Sequence, residues 1–210
     1  MLALFFEVCP RQGMMQRYLD TAAALRPLLD ASGGCLFIDR FRSLNRDGWL
    51  LSYQIWLDEA AMTAWRVNGT HHKAQTAGRN EVFSDYRLRV AQVVREESPG
   101  KSAWLPERLN TWNDPAARAP RYMVVADTSG SMDALDGAAA ERFESIYRPG
   151  KFAQVAEVSS LAQGLALGET CRSIGPIDTF RVCEIERDYG MYERAEAPQF
   201  YAPTVVRSTT

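Results

Sequence analysis

One hairpin occurs twice in this chain, and that limits what it can fold into more than any other feature. Phe41-Arg42-Ser43-Leu44 returns as Phe143-Glu144-Ser145-Ile146, an offset of 143 − 41 = 102 residues, and the same offset sets Gly48 on Gly150 and Leu50 on Phe152. A second echo, Leu88-Arg89-Val90 against Phe180-Arg181-Val182, comes at an offset of 180 − 88 = 92. Hairpin and closing strand are both repeated, with a shorter piece between them in the second half. Repetition on this scale points to two copies of one supersecondary unit, each with a face to bury. The 210 residues suit two units of about 100 each. The prediction is a first unit over 1–96, a second over 121–210, and an ordered connector over 97–120 that carries Pro99, Pro106, Pro115 and Pro120. Trp104, Leu105 and Trp112 predict a connector that packs over a surface, because exposed tryptophans are a liability.

Side-chain periodicity gives the content of the first unit. Leu2 to Val8 alternates as a strand does. Met14, Tyr18, Ala22, Leu25 and Leu29 step by three or four along one helical face, with Pro27 expected to kink or interrupt the helix and Ser32-Gly33-Gly34 to stop it. Cys35 to Ser43 reads as a strand, Asn45 to Gly48 as a turn, and Trp49 to Leu57 as a strand with Leu51, Tyr53 and Ile55 on one face and Leu50, Ser52, Gln54 and Trp56 on the other. Asp58 caps a helix bearing Met62 and Trp65, Asn68-Gly69 stops it, and Thr70 is placed as the cap of a short helix that opens with His71-His72 and ends near Gly78. Arg87 to Arg95 closes the unit as a strand. The order β-α-β-β-α-β is ferredoxin-like and leaves one sheet face in need of cover. The fold class predicted is therefore α+β: two tandem ferredoxin-like repeats, eight strands, paired sheet to sheet within the chain as a pseudo-dimeric α/β barrel. In the second unit the last helix shrinks to about 161–171, and Ser131 to Ala140 matches the opening helix poorly.

Composition removes several functions. A formal net charge of −2 with no extended basic run leaves no footprint for nucleic acid or for an anionic membrane surface. The apolar start has no basic residues before it and no small-residue cleavage site, so it reads as a strand in a cytoplasmic protein. Cys9, Cys35, Cys171 and Cys183 are far apart in apolar stretches, as reduced core thiols are. With two adjacent histidines and no C-x-x-C pair, no metal site is predicted. Asp127-Thr128-Ser129-Gly130-Ser131 looks like the metal motif of von Willebrand factor A domains, but it lacks the doubly wound context that motif requires and reads better as a polar turn.

The strand running into Asp58-Glu59-Ala60-Ala61, then Trp65, Asn68, His72, Gln75 and Gly78-Arg79, then Tyr86-Arg87-Leu88-Arg89-Val90 resemble the antibiotic biosynthesis monooxygenase family over about the first 96 residues. The tail Arg187 to Pro198 is similar to that family's usual ending. The resemblance implies a pocket between sheet and helices where Trp65, Asn68 and His72 act on substrate, with Tyr53, Trp56, His71 and Arg89 as binding residues. The chemistry suits an aromatic molecule: tryptophan stacks, an amide bonds a phenol or carbonyl oxygen, and imidazole removes a proton or ligates iron. A helix start favours the neutral imidazole that either task needs. The bland alternative makes Trp65 core and the histidines solvent-facing. Arg89 and Arg181 could bind a ligand carboxylate or pair internally with Glu7, Asp39 or Glu157.

Three functions follow. The first is a monooxygenase that needs no cofactor because the deprotonated quinol or polyketide-type substrate itself meets oxygen. The second is a haem-binding, haem-degrading enzyme, for which the seven-residue step from Trp65 to His72 is short against that branch of the family. The third is a non-catalytic binding or scaffold protein. The expected partner is a small aromatic molecule, and the chain is expected as a monomer with an internal pseudo-dimer or as a homodimer. Leu167 falls at the Trp65 position of the second half and no histidine follows His72, so one working pocket per chain is expected, in the first half.

Overall fold

The computed structural model describes residues 1–105, 119–130 and 140–198. Its elements run β1 (Leu2–Pro10), α1 (Met15–Ala31), β2 (Cys35–Ser43), β3 (Leu50–Trp56), α2 (Glu59–Arg66), α3 (Gly69–Ala77), a π-helical turn (Gly78–Val82), β4 (Phe83–Ser98), β5 (Lys101–Trp104), β6 (Tyr122–Ser129), β7 (Ala140–Ser145), β8 (Lys151–Val158), α4 (Leu161–Ile174) and β9 (Thr179–Gly190). The strands form one antiparallel sheet in the order β1-β3-β2-β7-β8-β6-β9-β4-β5, and β1 also pairs with β4. That last pairing closes eight strands into a barrel and leaves β5 as an outer ribbon on β4. Closure removes the free edges that would otherwise invite aggregation.

The first and second parts of the chain join through backbone hydrogen bonds at two seams, while their inner faces meet inside the barrel. At the first seam Phe41 faces Ser145, Arg42 faces Glu144 and Ser43 faces Phe143. At the second, Ala91 faces Ile185, Gln92 faces Glu184 and Val93 faces Cys183. Both hairpin turns carry a glycine with positive φ, Gly48 at 74° and Gly150 at 79°, a conformation that costs other residues energy.

Alternation along each strand separates two environments. Phe5, Phe41, Leu51, Tyr53, Ala91, Met123, Phe143 and Ile185 point inward and fill the barrel from both halves. Ion pairs close its ends: Arg89 Nη1 lies 2.9 Å from Glu7 Oε1 toward one end of β4, and Arg181 Nε lies 2.6 Å from Glu96 Oε2 toward the other. Arg89 and Arg181 thus take the internal role. Asp127 sits in β6 with Lys151 Nζ 3.1 Å from its carboxylate and the Thr179 hydroxyl donating to it, so it belongs to the barrel's own ion pairs.

Outside the barrel the helices cover the other strand face. α1 continues through Pro27 without the interruption that was one of the two expected outcomes there; Ala23, whose carbonyl loses a donor, and Pro27 itself are exposed to water. α3 is capped by Asn68, not Thr70: its side-chain oxygen accepts the N–H groups of Thr70 and His71 at 3.0 and 3.2 Å. β4 begins four residues earlier than periodicity implied, straight from the π-helical turn. In the connector, Leu105 packs against the barrel core while Trp104 remains 57% exposed under the Arg95 guanidinium, 4.7 Å from its ring. Trp112 and most of Ser131 to Ala140 lie outside the described residues. The four cysteines are free, with Cys171 and Cys183 buried but Cys9 and Cys35 only half-buried. No described helix is long and apolar enough to cross a membrane.

Candidate active site

A cavity of about 370 Å³ lies between the outer face of β1, β3 and β4 and the cover formed by α1, α2 and α3. Strand alternation makes its floor: Leu4 and Phe6 from β1, Ser52, Gln54 and Trp56 from β3, and Tyr86, Leu88 and Val90 from β4. The indole N–H of Trp56 donates to Gln54 Oε1 at 2.9 Å and the Gln54 amide donates to the Ser52 hydroxyl at 3.1 Å, so one polar file crosses an otherwise apolar floor. Asp58 holds the start of α2 by accepting the Ala61 N–H at 2.8 Å, and the helical spacing from Met62 to Trp65 then turns both onto the cavity.

The break between α2 and α3 brings His71 back over Trp65. The two rings stack with centroids 4.3 Å apart and planes 18° from parallel. His71 Nδ1 is 2.9 Å from the Trp65 carbonyl oxygen. A carbonyl only accepts, so Nδ1 carries the proton and Nε2 is the nitrogen able to take another. Burial pushes the His71 imidazole below its ordinary pKa, with neighbouring His72 adding to the shift and the Trp65 carbonyl opposing it. A neutral base with a fixed tautomer results, on the wall of the cavity.

The cavity gathers some of the predicted residues and not others. Trp65, His71, His72 and Trp56 line it. His72 sits one residue further round the helix, with Nε2 3.4 Å from the Thr76 hydroxyl. Asn68 is spent as a helix cap and is not on the wall. Tyr53 points the opposite way, into the barrel, where it is 1% exposed, stacks on Phe5 at 5.1 Å and accepts from Arg181 at 3.4 Å. Arg89 faces Glu7 inside the barrel as well. Residues the sequence did not single out complete the wall: Glu59 and Arg66 of α2, Arg187 and Tyr189 of β9, and Arg194 of the tail. Alternation in β9 put Arg187 and Tyr189 on one face, but only the seam between β4 and β9 carries that face to a pocket in the other half.

Comparison with known proteins places the sequence in a family. The profile of the family described as antibiotic biosynthesis monooxygenase matches residues 1–77. A protein of Pyricularia oryzae named jasmonate monooxygenase ABM is 33% identical over 221 aligned positions, covering 97% of this chain and 99% of that protein. Among solved structures, an antibiotic biosynthesis monooxygenase is 16% identical over 43% of this chain and 95% of its own, with a TM-score of 0.39. An anthrone oxidase-like protein is 8% identical over 93% and 95%, also with a TM-score of 0.39. On the strength of the near full-length fungal relative, the chain belongs to the antibiotic biosynthesis monooxygenase family.

Proposed function

We propose that the chain is a small monooxygenase working in the cavity beneath α1–α3, with His71 Nε2 taking the first proton from the substrate. The observation that carries this reading is the His71–Trp65 pair, a neutral imidazole with its tautomer set by a carbonyl and its ring stacked on the indole that faces the cavity. The volume, about 370 Å³, is near the small end of ligand pockets, roughly 300–1,000 Å³. It suits one or two rings. The substrate class is a ring compound with an acidic O–H or C–H beside a carbonyl, such as a quinol or phenol, stacked by the wall and oriented by the Ser52–Gln54–Trp56 file. Once deprotonated, such a ring reduces dioxygen itself: one oxygen atom replaces two hydrogens as a carbonyl and the other leaves as water, so electrons balance without a cofactor. The fungal relative's name makes jasmonate the first compound to assay.

A binding protein without turnover would hold the same ring and consume no oxygen. The deciding assay is oxygen uptake by purified protein with a chelator present, wild type against His71→Gln. We expect a fall of about 10²-fold or more, as for loss of a general base. An unchanged rate in the variant, or a rate that needs added haem, would remove the reading.

We also propose that the halves are tandem copies related by an internal two-fold. Supporting this, Arg42 faces its own counterpart Glu144 at the first seam and Gln92 faces its counterpart Glu184 at the second, with flanking pairs exchanged, the pattern of an isologous interface. A closed barrel in one chain needs no second copy, so a monomer is expected on gel filtration.

A further inference from the structure

Arginines line the cavity at both ends; at the α1 end Arg17 and Arg26 are paired with Glu81 and Asp30, and Arg40 donates to the Tyr18 hydroxyl. Where β9 meets α2, the guanidinium groups of Arg66, Arg79, Arg187 and Arg194 line the wall, and the carboxylate among the described lining residues is that of Glu59. Glu59 is already engaged, because Arg187 Nη2 donates to both of its oxygens at 2.7 Å. Arg79 and Arg194 each donate to the Tyr86 hydroxyl, at 3.1 and 2.8 Å, a neutral acceptor that leaves their charge uncancelled. Arg194 also lies 5.9 Å from the centre of the Tyr189 ring.

Arg66 is the informative member. Its Nη2 is closed off from solvent and meets no hydrogen-bond partner among the described residues. Burial lowers its pKa, partly offset by Tyr189 and Glu59, yet a guanidinium remains charged throughout the range in which proteins are stable. A shut-in charged N–H with nothing to donate to is costly, and an anion delivered by a ligand removes that cost. Arg194 stands exposed, where water screens it, and Arg66 and Arg79 are half-buried, Arg66 with its Nη2 shut in. The shut-in Nη2 of Arg66 thus asks for one unit of negative charge. A planar carboxylate meets a guanidinium edge with two parallel hydrogen bonds, whereas a phosphate dianion would bring a second charge to the same enclosed place.

We propose that this end of the cavity is a carboxylate subsite: the substrate is an amphipathic acid whose ring rests on the Trp65–His71 wall while Arg66 binds its carboxylate, with Arg79 and Arg194 drawing the anion inward. The proposal rests on reading the cavity as the substrate site. It also gives the second half a direct part in binding, since Arg187 and Tyr189 shape the subsite from β9.

The test compares matched acids and esters by quenching of tryptophan fluorescence: jasmonate with methyl jasmonate, and 2-naphthoate with methyl 2-naphthoate. In wild type each acid should bind about tenfold tighter than its ester, the scale of one charge-assisted pair. Arg66→Gln should erase that preference while leaving ester affinity unchanged, and Arg66→Lys should restore part of it. Unfolding midpoints of both variants identify any loss of fold. Equal binding of acid and ester in wild type would overturn the subsite, and so would Arg66→Gln weakening acid and ester alike with the fold intact. Oxygen uptake is read separately. Acid preference without oxygen consumption keeps the subsite and ends the monooxygenase reading, whereas oxygen consumption with no acid preference does the opposite.

Discussion

Two helical layers cover the same barrel, and they do so differently. Over β1, β3 and β4 the cover is made of three helices whose large side chains, Tyr18, Leu29, Met62 and Trp65, hold the helix backbones away from the strands and leave a cavity between. Over β6 and β9 there is α4, which turns Gly164 and Gly168 to the sheet. A methyl group at Gly168 would come within 2.5 Å of the Phe180 ring, and one at Gly164 within 3.1 Å of Val182. Missing side chains let α4 sit directly on the strands. Residue size at the helix–sheet boundary thus differs between the two covers. The second half keeps the barrel closed and lends the first pocket its β9 residues.

Several changes would sharpen or break this contrast. Trp65→Ala should have the largest effect: oxygen uptake and ligand quenching fall by about two orders of magnitude, since the wall that orients the ring is gone, while the counterpart change Leu167→Ala leaves uptake near wild type. Phe180→Ala, which empties a site only 2% exposed under α4, should cost about 3–5 kcal/mol in denaturant unfolding. Activity per folded molecule should survive it. Gly168→Ala should cost about 1–3 kcal/mol through overpacking, because the Phe180 ring is held between helix and barrel. A fully stable Gly168→Ala would mean that α4 is not pressed onto the sheet.

Asn68→Ala distinguishes a cap from a catalytic group. Loss of the cap should cost about 1 kcal/mol of stability, with kcat close to wild type in the folded fraction. A large drop in kcat without loss of stability would restore the catalytic role that its place in the sequence implied. The smallest effect is on pH dependence. Burial lowers the folded pKa of His71, so the unfolded chain binds that proton first as pH falls below about 6.5. This contribution to stability is present above that pH and is lost on acidification toward the folded pKa. His71→Gln should flatten that part of the profile, as measured by thermal unfolding at stepped pH.

The contrast between the halves also shows what the residues alone can disclose. Strand alternation was enough to divide β3 correctly, with Tyr53 on one face and Trp56 on the other, but not to say which face meets a ligand; the barrel takes Tyr53 and Arg89 inward, the helices take Trp56 outward. The repeated hairpin at an offset of 102 lies at the first seam, where Arg42 meets Glu144. Nothing local announced that the halves close through hydrogen bonds, because seam pairing depends on strands far apart in sequence. Asn68 is ambiguous in the sequence for a different reason: asparagine before a helix serves equally as a cap and as a hydrogen-bonding group in a pocket, and the distances to Thr70 and His71 show the cap. Arg66 went unnoticed because one arginine on an amphipathic helix carries no pattern; its meaning comes from the neighbours that β9 supplies.

The central claim is that one pocket works, beneath α1–α3 and against the His71–Trp65 pair. A crystal structure with bound 2-naphthoate tests it most directly. The account predicts the ring within stacking distance of Trp65, its carboxylate on Arg66, and no ligand between α4 and β9. Ligand under α4 or inside the barrel, with the Trp65 cavity empty, would contradict it.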